Sequence, residues 1–213
     1  MNDSTSALDI SRIQLVRRGL RLEYVTVIWN SLEGLIAIGA GVVAGSIALV
    51  GFGLDSVIEV SSGGILLWRL RSDRDEARRE STERRALKLV GVSFLLLAAY
   101  VAGEAVKTLW FKDAPERSPI GIALAAVSLV VMPLLARAKR RVASSISSRA
   151  LHADSRQTDL CAYLSAILLG GLVLNAALGW WWADPVAGLV MTPIIINEGR
   201  EALRGEGCAC SRS

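Results

Sequence analysis

The chain has 213 residues, of which 52% are hydrophobic and 21% charged, with a formal net charge of +4 and a mean hydropathy of +0.43. That is too apolar for an ordinary soluble domain of this length, and the small positive charge, carried by loop Lys and Arg, gives no ground for a nucleic-acid partner. Three cysteines, Cys161, Cys208 and Cys210, do not make a disulfide framework.

The charges gather in Ser11–Glu23, Arg69–Lys88, Arg137–Arg149 and the stretch after Glu198, with long apolar runs between them. This is the layout of an all-α, multi-pass integral membrane protein whose solvent is a lipid bilayer. Residues 1–21 read as a polar arm ending in Arg17, Arg18 and Arg21. They lack the short apolar run and small-residue cleavage site of a removable signal peptide.

Six transmembrane helices are expected within residues 22–203. The first span is about Leu22–Ala44, with a polar stripe at Asn30 and Glu33 and glycines suited to close packing. The second is about Ser46–Leu70, closed by Trp68 and Arg69 at an interface. A mixed-charge connection, RSDRDEARRESTERR, leads to the third span, about Leu87–Leu109, where Glu104 and Lys107 are spaced to pair or snorkel. After the loop KDAPERSP comes a fourth span, about Ile120–Ala136, then the basic connection ARAKRRVASSISSR. The fifth span is about His152–Leu178. The aromatic turn GWWWADP precedes a short sixth span, Val186–Asn197 or starting from Trp180, which contains Pro193. Residues 204–213 form a short tail bearing Cys208-Ala-Cys210, a pair able to clasp a soft ion.

The Lys and Arg residues concentrate in the arm, the second-to-third connection and the fourth-to-fifth connection, whereas the opposite loops hold little beyond Lys112 and Arg117. The positive-inside rule therefore puts both termini in the cytoplasm.

Within the second span, GSIALVGFGLDSVIEVSS carries Asp55 and Glu59, four residues apart and so on one helix face. A carboxylate at mid-bilayer costs on the order of 3 kcal/mol, so the pair is expected to face a cavity, a partner or a cation. Paired carboxylates suit a divalent metal, which offsets their repulsion, and they also suit proton exchange. A structural role in holding helices together is the alternative.

The fifth span opens with ALHADSRQTDLCAYLS. Helical periodicity puts Asp154, Gln157, Thr158 and Cys161 on one face and His152, Ser155 and Asp159 roughly opposite, and either face could hold ligands. Ser46-Ile-Ala48-Leu49 matches Ser148-Arg-Ala150-Leu151 at three of four positions, which maps Asp55 onto Gln157 and Glu59 onto Cys161. That comparison favours the Gln157/Cys161 face.

On GSIALVGFGLDSVIE, ALHADSRQTDLCAYLS and WWADPVAGLVM, the chain resembles the cation diffusion facilitators, six-span exporters of divalent transition metals, from about Leu22 to Leu203. The resemblance implies a tetrahedral mid-membrane metal site built from two ligand pairs, one in each of the second and fifth spans. Here these correspond to Asp55 with Glu59 and to Gln157 with Cys161, with Asp154 in the family's Ala-Asp position. The usual fifth-span His/Asp pair is absent in this register. Glutamine is a poor transition-metal ligand and cysteine a soft one, so Asp159 on a slightly rotated helix is the other candidate.

The chain is thus identified as a short member without the family's C-terminal cytoplasmic domain. The resemblance implies a transporter rather than an enzyme, exporting a divalent cation from the cytoplasm by proton antiport, with zinc first and Cd, Co, Mn or Fe as other substrates. It further implies a homodimer in a bacterial-type plasma membrane. The alternative is a membrane metal-binding or sensor protein without transport. The charge asymmetry makes one expectation directly measurable: reporter fusions after Ser72 and Arg141 should read as cytoplasmic and fusions within residues 112–118 as external. An external signal at Arg141 would overturn the six-span layout.

Overall fold

The computed structural model describes residues 3–71, 76–146 and 149–204, which form six helices and, among the described residues, no strand. These are α1 (Asp3–Ala44), α2 (Ile47–Arg71), α3 (Glu76–Phe111), α4 (Pro119–Ile146), α5 (Arg149–Leu178) and α6 (Ala183–Arg204). Five of them contain stretches long and apolar enough to cross a membrane, Gln14–Ala44, Ile47–Ile65, Lys88–Phe111, Pro119–Ser145 and Asp154–Leu178. Large apolar side chains such as Leu35, Val43, Leu89 and Trp110 point outward, the inverse of a soluble bundle and the arrangement expected where lipid is the solvent.

The helices outrun the apolar segments at several ends. Residues 3–21, expected as an arm, are the first turns of α1, and α4 continues through the basic connection as far as Ile146. Hydropathy marks where a chain meets lipid, whereas a helix stops only where its backbone finds a cap. In the other direction, α6 begins at Ala183, so Trp180–Trp182 belong to the preceding turn, where Trp180 and Trp182 stack at 5.1 Å. Glu104 and Lys107 form the expected pair at 3.1 Å. Cys208 and Cys210 lie outside the described residues, as does Ser148 of the internal comparison.

The turn between α1 and α2 is set locally. Gly45 takes a left-handed conformation, with φ 64°. The Ser46 amide then reaches back to Gly41 O at 2.9 Å and the Gly45 amide to Val42 O at 3.4 Å. This pattern satisfies the last carbonyls of a helix. Ser46 immediately starts α2, its hydroxyl oxygen accepting from the Leu49 amide at 3.1 Å. The same hydroxyl donates to Asp184 Oδ1 at 2.5 Å, and Asp184 Oδ2 accepts from the Ile47 amide at 3.0 Å. Asp184 is fully buried. One carboxylate in the first turn of α6 therefore fixes the height of α2.

The closest pairings are α1 with α2, α3 with α6 and α4 with α5, and α2 also meets α3, α5 and α6. The core between them is built on Leu49, Phe52, Val101, Met132, Leu168, Met191 and Ile195. The α3–α6 contact is a mutual backbone approach. A Cβ on Gly91 would lie 2.8 Å from Gly199 O, and one on Gly199 would lie 3.0 Å from Gly91 O. Gly91→Ala should therefore lower thermal stability in detergent, by about 1–3 kcal/mol as for other overpacked sites. Gly39→Ala meets nothing within 4 Å and should be neutral or stabilising, since alanine is favoured over glycine in helices by about 1 kcal/mol.

Candidate metal centre

Asp55 and Glu59 occupy successive turns of α2 and are only 6% and 4% exposed. Both line a cavity whose other walls are Phe94 of α3, Gln157, Leu160 and Leu164 of α5, and Ile194, Ile195 and Glu198 of α6. Asp55 makes no hydrogen bond to another described side chain. Gln157 accepts from the Ser62 hydroxyl through Oε1 at 3.2 Å. Its Nε2 is buried without a hydrogen-bond partner among the described residues. The cavity thus gathers three carboxylates and an amide from three helices inside an apolar wall.

Glu198 was not legible as a site residue, because it lies one position past the apolar run of the sixth span and reads as the start of a charged end. The α6 helix carries on to Arg204, and Glu198 follows Ile194 and Ile195 on the inward face.

The α5 face expected to hold ligands divides into two stripes. Gln157, Leu160 and Leu164 look into the cavity. Asp154, Thr158, Cys161 and Ser165 are buried, and the first three make side-chain contacts toward α4, α2 and α1. Cys161 Sγ lies 4.0 Å from Glu33 Oε2 of α1. That Glu33 carboxylate also accepts from Ser56 of α2 at 3.1 Å and from Ser128 of α4. The polar stripe expected on α1 is therefore the interior one, with Glu23, Thr26, Asn30 and Glu33 all buried.

The two remaining candidate acids are engaged by cations. Asp154 Oδ2 is 2.5 Å from Lys139 Nζ, and Glu23 Oε2 lies 2.9 Å from the same ammonium. Asp159 takes both its oxygens to Arg140 Nη2, at 2.9 and 2.7 Å. It faces α4, away from the cavity lining, so the structure does not bring it to Asp55 and Glu59. His152 is exposed. Among the described residues, no three His, Cys, Asp or Glu side chains converge closely enough to hold a metal ion as they stand.

Lys139 is the residue whose setting departs most from its sequence context. It sits in a basic connection, KRR, yet is 0% exposed. Because α4 runs on past the expected end of the fourth span at Ala136, Lys139 follows Met132 and Ala136 on the buried stripe of that helix. A lysine there is tolerable only with carboxylates around it.

The Arg140–Asp159 pair is 42% and 28% exposed on its two sides, a setting in which an ion pair is worth about 0–1 kcal/mol. Asp159→Asn should therefore leave the protein folded and its metal affinity unchanged. A metal-binding titration that finds affinity lost in Asp159→Asn would put this residue among the ligands after all.

Residues 24–205 match the family described as the cation efflux transmembrane domain. Transmembrane protein 163 of Xenopus laevis is 26% identical over 188 residues, covering 88% of this chain and 66% of that protein. An uncharacterised transporter of Methanocaldococcus jannaschii is 27% identical over 177 residues, 80% of this chain and 62% of the relative. Another from Synechocystis is 25% identical over 175 residues, 79% and 56%. The chain accordingly spans some 56–66% of the length of these relatives. With a family match running from α1 to the end of α6 over a bundle of apolar helices, the chain belongs to the cation efflux family.

Proposed function

We propose that the chain carries a divalent transition-metal cation, zinc first, out of the cytoplasm in exchange for protons. The observation that supports this best is the cavity beside α2, where Asp55 and Glu59 face Glu198 and Gln157 with too few protein partners for the charge present. Carboxylates buried in a membrane protein need a counter-charge, and a divalent ion supplies it while tolerating the variable geometry of oxygen donors. When the ion leaves, protons can take its place, so one cavity can serve both directions of an alternating-access cycle.

Asp55 and Glu59 are the principal ligands in this reading. Gln157 and Glu198 supply further oxygens, and the Cys161 thiol, behind Glu59, lies where a rotation of α5 brings it to the ion. Asp154 and Asp159 serve as partners of Lys139 and Arg140. A homodimer in a plasma membrane is the assembly expected from the family resemblance, and transport rather than catalysis is the activity.

Purified protein in vesicles, tested against Zn(II), Cd(II), Co(II), Mn(II) and Fe(II), examines this directly. Asp55→Asn and Glu59→Gln keep shape and remove one charge each. Each should weaken metal binding at least about tenfold, equivalent to about 1.4 kcal/mol, and flux should fall while insertion is preserved. Normal transport by both variants would remove the site, and metal binding without flux in the wild type would leave a binding protein rather than a carrier. Cys161→Ser should impair Cd(II) more than Mn(II), since thiolate favours the softer ion.

A further inference from the structure

We propose that the buried Lys139 ammonium is a fixed internal cation which, through the Thr158 hydroxyl, sets the orientation of Glu59 and thereby the affinity of the cavity for a divalent cation. This rests on the transport reading above and adds residues of α1 and α4, helices that contribute nothing to the cavity wall.

The ammonium donates to Asp154 Oδ2 at 2.5 Å, Glu23 Oε2 lies 2.9 Å away as a second ion-pair partner, and Thr158 Oγ1 accepts from it at 3.4 Å. The ammonium is thus compensated at short range, with no solvent exposure. Two carboxylates from different helices hold it in place, so it cannot swing away as a surface lysine does.

The third contact is the informative one. A threonine hydroxyl has one proton and two lone pairs. Lys139 donates into a lone pair of Thr158, which leaves the single proton for one of two acceptors, the Asp154 carbonyl at 3.2 Å or Glu59 Oε1 at 3.3 Å. The carbonyl already lies within the α5 helix ladder, and an ionised carboxylate is the stronger acceptor. The ammonium also polarises the hydroxyl, and a chain of hydrogen bonds in a low-dielectric interior strengthens along its length. Thr158 therefore holds one Glu59 oxygen from behind and fixes the plane of the carboxylate that faces Asp55.

A lysine serving only to tie α1, α4 and α5 together would need no outlet toward the cavity. Here the path Glu23–Lys139–Thr158–Glu59 ends on a candidate ligand. Thr158 and Lys139 are positioning residues, since neither lines the cavity.

The test uses the full-length protein in vesicles with Zn(II) as the probe, reading equilibrium affinity together with the KM and maximal rate of flux. Thr158→Val keeps the shape and removes the hydroxyl. Affinity should fall about tenfold, with KM rising in step and the maximal rate little changed, and Thr158→Ser should restore wild-type behaviour. Because Lys139→Met alone strands two buried acids and can fail to fold, the second variant is the neutral triple Glu23→Gln/Lys139→Met/Asp154→Asn. It should show the same loss as Thr158→Val, and adding Thr158→Val to it should cause no further loss, since both break one path. Wild-type Zn(II) affinity in Thr158→Val or in the folded triple would overturn the proposal while leaving the cavity standing. Full additivity of the two would overturn it as well. Absence of Zn(II) binding in the wild type would instead remove the transport reading and this inference with it.

Discussion

Charge buried in a low-dielectric interior must be compensated at short range, and this bundle handles its interior charge in two ways. On the side formed by α1, α4 and α5 compensation is internal. Lys139 is met by Glu23 and Asp154, and Glu33 collects hydroxyl groups from Ser56 and Ser128. On the side formed by α2, α3, α5 and α6 it is incomplete, and Asp55, Glu59 and Glu198 share a cavity without an ammonium or guanidinium in its lining. The contrast matters because an unpaired buried charge costs several kcal/mol. The second location is the one that the function proposed above assigns to a mobile cation.

The position of that cavity follows from α2. Its start is fixed by the Gly45 turn and by Asp184, which grips both the Ser46 hydroxyl and the Ile47 amide. Its depth is fixed by its contacts with four other helices. The mutual approach of Gly91 and Gly199 draws α3 and α6 together, and that contact sits beside the segments bearing Phe94 and Glu198. Small residues have the role expected where lipid removes the hydrophobic drive between helices and close backbone contact replaces it. The cap and the glycine contact lie toward opposite ends of α6, at Asp184 and Gly199, and the carboxylates sit toward the glycine end.

The α5 helix joins the two sides. Gln157 faces the cavity, while Asp154, Thr158 and Cys161 face the internally compensated acids and lysine. The Glu59 carboxylate lies where the two stripes meet, accepting from Thr158 of one and lining the cavity with Gln157 of the other.

The sequence by itself determined the membrane class, the number and order of the helices and the placing of Asp55 and Glu59 on one face of an apolar helix. Hydrophobic run length and the cost of charge in lipid are local properties that require no partner to be read. It also marked Asn30 and Glu33 as a polar stripe and the start of the fifth span as a second polar cluster. Only the tertiary structure decided which of those acids face cations of the protein's own. Lys139 and Arg140 are neighbours in one basic run, yet one is buried against Asp154 and the other half-exposed against Asp159. The difference is a 100° rotation about a helix that continues beyond the end expected for it at Ala136. Glu198 and Glu23 were likewise assigned to charged ends, because hydropathy ends where lipid ends while the helix and its inward face continue. Composition along the chain gives the solvent of each segment; the partner of each charge depends on helix phase and on neighbours from distant sequence, and those exist only in the folded bundle.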